Sequence, residues 1–230
     1  AVGVQVLFGG HDNVIVGNRI GIDAGGTHKV GNGVTGIQLQ TNVSHNAVGS
    51  WEPSGANVVS GMQYGIVLFD AGVTANRVIG NFVGTDPTGS SAIPNAVWGV
   101  TAIYGASGNF VGGAGTGERN VLSGNLSAGV VLLEPGTNRN RVVGNYIGVG
   151  ANGTTPIPNG NNGGAVIANG AAENVIGGTT VLPTAANIIA GNNGSGVWLT
   201  GGATRNVVLG NAIGVSALNG GAAIPNTGPG

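Results

Sequence analysis

The sequence predicts an all-β solenoid, a parallel β-helix of about seven rungs, each with three short strands, and no helical caps. Three observations carry that expectation. A glycine followed by alternating apolar residues recurs along the chain, an asparagine follows it at a nearly fixed distance, and no stretch shows the 3.6-residue period of a long amphipathic helix.

The rungs start near Gly3, Gly36, Gly65, Gly99, Gly129, Gly164 and Gly196, at intervals of 33, 29, 34, 30, 35 and 32 residues. One residue on stand Val4, Ile37, Ile66, Val100, Val130, Ala165 and Val197. Two further on stand Val6, Leu39, Leu68, Ala102, Leu132, Ile167 and Leu199. That is period two with a wholly apolar inner column, the pattern of a strand with one buried face. Ten or eleven residues after each glycine comes Asn13, Asn46, Asn76, Asn109, Asn140, Asn174 or Asn206.

A third block alternates. Asn57-Val-Val-Ser-Gly, Asn120-Val-Leu-Ser-Gly and Asn187-Ile-Ile-Ala-Gly occur in even rungs, and Ile93-Pro-Asn95, Ile157-Pro-Asn159 and Ile224-Pro-Asn226 take that place in odd ones. Odd rungs also carry a Gly-Asn pair at Asn18, Asn81, Asn145 and Asn211, so the full repeat is a long unit plus a short one. Gly and Asn are expected at the corners because they tolerate left-handed backbone angles. Residues 1–230 read as a single β-helix domain. Both ends fall at rung boundaries, so the expectation is a segment of a longer rod or a fibre subunit that joins copies from Gly230 to Ala1.

Composition agrees. Gly and Pro number 49 and 9 of 230 residues, a loading that without a period would suggest disorder, yet 41% of residues are apolar and mean hydropathy is +0.26. No apolar run reaches the ~18 residues of a membrane helix, so membrane insertion is not expected. Without cysteine, disulfides and thiolate metal sites are excluded. Seven scattered basic residues and a net charge of −1 argue against nucleic acid, whose phosphates call for a dense basic face.

Gly80-Asn-Phe-Val-Gly-Thr-Asp-Pro-Thr-Gly89, Ile93-Pro-Asn95, Gly105-Ala-Ser-Gly-Asn-Phe-Val-Gly-Gly113 and Asn120-Val-Leu-Ser-Gly-Asn125 resemble the right-handed parallel β-helix repeats of large bacterial secreted and surface proteins, a fold shared by the pectate-lyase-like superfamily. The resemblance covers nearly the whole chain. It implies a right-handed coil and an extracellular or cell-surface location, and no catalytic residue of those enzymes carries over to a position here.

Among candidate sites, the seven asparagines at 13, 46, 76, 109, 140, 174 and 206 read as a structural amide ladder rather than a sugar track, because the column spans every rung. The column before it, with Asp12, His45, Arg139, Glu173 and Arg205, reads as surface ion pairs; His11, Asp12 and His45 are too few to predict a metal site. Asp23 and Asp86 occupy equivalent corners and are weak calcium candidates, with Gly150 and Ser216 in their place later; no other cofactor is expected. The eight acids form no local pair of the kind a glycosidase needs, so no catalytic residue is assigned.

The outward side of the first sheet carries Val67, Phe69, Ile103, Val131, Leu133, Val166 and Trp198, which predict an exposed apolar contact face for another chain. Trp51, Trp98 and Trp198 are candidates for stacking on sugars but share no column. The expected function is a structural extracellular rod (stalk, fibre or adhesin surface) without catalytic chemistry. Its partners would be copies of itself or flanking β-helix, end to end or side by side. The alternative is a carbohydrate-binding or carbohydrate-cleaving β-helix.

Overall fold

The computed structural model describes residues 1–31, 33–178, 183–216 and 221–228. The chain winds as a parallel β-helix whose three sheets each contain seven strands. The first sheet has the long strands Val2–Leu7, Thr35–Gln40, Tyr64–Phe69, Trp98–Ile103, Ala128–Leu133, Gly163–Ala168 and Val197–Leu199. Second- and third-sheet strands are two residues each, such as Phe110–Val111 and Val121–Leu122. Neighbouring strands in every sheet come from successive turns. Six spacings of roughly 4.8 Å place the first and last about 29 Å apart. Gly230, the expected junction between copies, lies outside the described residues. No described helix is long and apolar enough to cross a membrane.

Register follows the apolar columns. Ile37 pairs with Ile66, Ile66 with Val100, Val100 with Val130, and Val130 with Ala165. The interior is filled by these residues and by one apolar side chain from each short strand before the last turn, including Val48, Val78, Val111, Leu122 and Ile147, all in one buried cluster. Stacking is what makes this core, since a single turn has nothing above or below to cover its inner face.

The glycine that opens each long strand is required by packing. A Cβ at Gly99 would lie 2.6 Å from the Gly129 carbonyl oxygen and 2.8 Å from Asn125 Nδ2. At Gly36 it would lie 2.3 Å from Val59 Cγ1 and 2.7 Å from the Gly65 oxygen.

The left-handed corners differ from the expectation. The ladder asparagines are not the left-handed residues; the residue before each is, at Asp12, His45, Ala75, Arg139, Glu173 and Arg205 with φ of 53–58° and at Gly108 with φ of 65°. Asparagine is chosen for its amide, and the strain falls on its neighbour. A second left-handed column closes the first six long strands, at Phe8, Thr41, Asp70, Tyr104, Glu134 and Asn169.

The long-short alternation has a spatial cause. Odd turns carry a small hairpin after the third sheet, closed by the bridges Ile22–Lys29, Thr85–Ala92 and Val149–Pro156. Even turns bulge before the third sheet instead, as in the 3₁₀ turn Pro53–Gly55. Each hairpin therefore meets its like two turns away, and the Ala151 N–H reaches the Gly89 carbonyl at 2.9 Å.

Candidate functional site

Three amide ladders run along the rod. In the first, Asn13, Asn46, Asn76, Asn109, Asn140 and Asn174 each donate both their backbone N–H and their Nδ2 to Oδ1 of the asparagine one turn later, ending on Asn206. From Asn46 onward the remaining Nδ2 hydrogen goes to a carbonyl, such as Val73 O for Asn109 at 2.9 Å. Buried amides are thereby fully paired.

The second ladder merges two motifs that alternate in the sequence. Asn18, Asn57, Asn81, Asn120, Asn145, Asn187 and Asn211 form one column through their Nδ2–Oδ1 bonds. The even-rung block with Asn57 is thus the counterpart of the odd-rung Gly-Asn pair. The third ladder joins Asn95, Asn125, Asn159, Asn192 and Asn226. Met62 stands in line with it and still donates its backbone N–H to Asn95 Oδ1 at 3.0 Å.

The carboxylates are dispersed and locally engaged. Asp23 accepts the N–H groups of Thr27 at 2.7 Å and His28 at 3.0 Å. The His28 and then the Thr27 N–H lower its pKa from the ordinary 3.8 to about 2. Asp86 accepts from Ser90 at 2.8 Å and Ser91 at 3.0 Å. Burial pushes Asp86 upward, but the Thr88 hydroxyl and the Ser91 and Ser90 N–H groups outweigh it and hold the carboxyl below its ordinary value.

The structure places these two calcium candidates as turn staples. In the next hairpin Gly150 has no carboxylate, and Asn152 Oδ1 accepts the Thr154 and Thr155 N–H groups instead. No group of three or more His, Asp or Glu residues that could hold a metal occurs among the described residues.

Glu173 lies between Arg205 at 2.9 Å and Arg139 at 3.0 Å, which hold its carboxyl below the ordinary range, Arg205 foremost. Asp12 pairs with His11 at 2.8 Å.

The outward face of the first sheet corrects the expectation of an exposed apolar plane. Val67, Val131 and Val166 are buried, Val131 to 2% exposure. In register, Val67 lies between Gln38 and Thr101, Val131 between Thr101 and Val166, and Val166 between Val131 and Trp198. Val131 and Val166 form a second apolar cluster with Ala128 and Ala168, covered by Trp98 and Leu133. Phe69, Ile103 and Leu133 are half-buried, and Trp198, in the last strand, is 43% exposed.

What this face presents is a groove of about 300 Å³ over Val67 and Thr101. Tyr64 and Trp98 form one edge, with ring centroids 5.3 Å apart; Phe69 and Tyr104 form the other, at 5.1 Å. On its floor Thr101 is 1% exposed, and its buried hydroxyl has no hydrogen-bond partner. Of the groove's residues the sequence singles out Val67, Phe69, Ile103 and Trp98. Tyr64 and Tyr104 were missed. The available signal was a tyrosine at a corner that otherwise holds Phe, Thr, Asp, Glu or Asn.

Comparison with protein-family models, with curated proteins and with solved structures gave no match.

Proposed function

We propose that the chain is a structural, extracellular β-helical rod, a stalk, fibre element or adhesive surface that does no catalytic chemistry of its own. The observation that carries this reading is the continuity of the amide ladders, the first of which links all seven turns through hydrogen bonds that are buried except at its two ends. Such bonds tie each turn to the next over the whole length, as a spacer requires. The extracellular setting rests on the resemblance of the repeat motifs to those of secreted and surface proteins. Partners in this reading are flanking β-helix or further copies, end to end or side by side. Each ladder asparagine donates toward the next turn, so a turn added to either end would need the same chain direction.

Rigidity is testable directly, because introduced cysteines are unique in a cysteine-free chain. Val14 and Val207 are exposed members of one column of the second sheet. Spin labels at Val14→Cys and Val207→Cys should give one narrow distance near the ~29 Å span plus label length. A broad distribution would overturn the rod.

A second reading, a carbohydrate-binding or carbohydrate-cleaving β-helix, is favoured by the aromatic-edged groove. Within it, binding is better supported than cleavage, which calls for two facing carboxylates. All eight carboxylates have partners of their own: Asp12 with His11, Asp23 and Asp86 with their turns, Glu52 with Trp51, Asp70 with the Ala71 N–H, Glu118 with Arg77, Glu134 with Asn169, and Glu173 with two arginines.

A further inference from the structure

We propose that the groove over Thr101 is a binding site for an uncharged sugar ring. The inference deepens the carbohydrate-binding reading and is independent of the rod's stiffness. Two departures from good packing and a set of free rim donors converge there. Tyr104, 53% exposed, holds a left-handed backbone at φ of 55°; five other turns are left-handed at this corner, and apart from Phe8 they place the smaller or polar Thr41, Asp70, Glu134 and Asn169 there. A bulky aromatic in that region is strained. Thr101 keeps an unpartnered buried hydroxyl in a column where adjacent turns have Val67 and Val131, an isosteric choice with no polar group to satisfy. The Trp98 indole N–H and the Tyr64 and Tyr104 hydroxyls make no hydrogen bond with another described residue. The left-handed aromatic and the unpartnered buried hydroxyl each cost stability, and local violations of this kind gather where function requires them.

The chemistry of the groove selects the ligand. No charged side chain lines it, so neither a carboxylate nor a cation finds a counter-charge. Aromatic faces on both edges suit the C–H face of a ring, while the indole N–H and the tyrosine hydroxyls offer donors and acceptors at its rim. Thr101 lies on the floor between the two edges, and a change of χ1 is what would bring its hydroxyl to the bound molecule. The volume, about 300 Å³, is at the small end of ligand pockets and matches one ring with room for a substituent.

The test is titration of the ¹⁵N-labelled full chain, following the Trp98 indole N–H signal assigned with Trp98→Phe. The probes are methyl glucoside, methyl galactoside and methyl mannoside, with galacturonate and cyclohexanol as charged and purely apolar comparators. At least one glycoside should shift the Trp98 signal saturably and leave Trp51 unmoved. Tyr104→Asn fits the left-handed corner and so keeps the fold. It should weaken binding about tenfold, the value of one aromatic platform; Thr101→Val should also weaken it. The proposal is overturned if no glycoside shifts Trp98 up to its solubility limit, if either comparator binds as tightly as the best glycoside, or if Tyr104→Asn binds unchanged. The spin-label distance tests the rod separately, so either idea can fail alone.

Discussion

Replacing Asn109 by alanine removes the middle of the first ladder. Its Oδ1 accepts both the backbone N–H and the Nδ2 of Asn76 at 3.0 Å. Its Nδ2 donates to Val73 O at 2.9 Å, Asn140 Oδ1 at 3.1 Å and Ser107 O at 3.2 Å. In Asn109→Ala several of these partners keep another bond. Val73 O retains the Ser107 N–H at 3.0 Å, Asn76 Nδ2 retains Val43 O at 2.9 Å, and Asn140 Oδ1 retains the Asn109 N–H at 3.0 Å. The Asn76 N–H, in a site of 0% exposure, retains nothing.

One orphaned buried donor costs about 1–3 kcal/mol, and weakening the other bonds adds about 1, so the loss should be about 3 kcal/mol. Asn13 is exposed, and its side chain makes a single ladder bond, to Asn46 Oδ1 at 2.9 Å, which keeps the Asn13 N–H. Asn13→Ala should therefore cost about 0.5–1 kcal/mol. Urea titration by far-ultraviolet circular dichroism measures both, and native-state hydrogen exchange should show the Asn76 amide losing protection in Asn109→Ala. If the two variants lie within about 1 kcal/mol of each other, the ladder is not the stabilising device described.

Two further outcomes follow from the same geometry. Gly99→Ala drives a Cβ to 2.6 Å from a backbone carbonyl, whereas Gly9, at φ of 82°, has nothing within 4 Å of its added Cβ. The first should cost about 3 kcal/mol and the second about 1, read from urea midpoints at constant slope; equal costs would refute the close-approach argument. Asp23, Asp86 and Glu173 all have depressed folded-state pKa values. Their contribution is complete above the unfolded-state values and disappears as pH falls through the folded ones, for Asp23 from 3.8 toward about 2. Thermal midpoints should fall across that window, and Asp23→Asn, whose amide oxygen still accepts the turn's N–H groups, should flatten part of the decline; an unchanged slope would remove Asp23 as a contributor.

The core columns were legible in sequence because an inward side chain must be apolar in every turn, which prints a period of two beside a period near 32. Ile37, Ile66, Val100 and Val130 are such a column. The first asparagine ladder was legible for the same reason. The second was not: its members belong to motifs of different appearance, and only the inserted hairpins and bulges explain why Asn57 lies over Asn18. The outward valines misled because a sequence gives direction from the sheet but not what stands over it, and Val131 lies between Thr101 and Val166 in a cluster against which Trp98 and Leu133 pack.

The sequence by itself therefore determined the coil, its strand pattern and the residues that fill it, since each is enforced identically turn after turn and repetition makes it visible. The tertiary structure alone decided which asparagines join, which left-handed residues carry the strain, and that Tyr64, Trp98, Tyr104 and Thr101 surround one groove. Those depend on vertical neighbours some thirty residues apart and on loops of unequal length, and a feature that occurs once in the rod leaves no period to read.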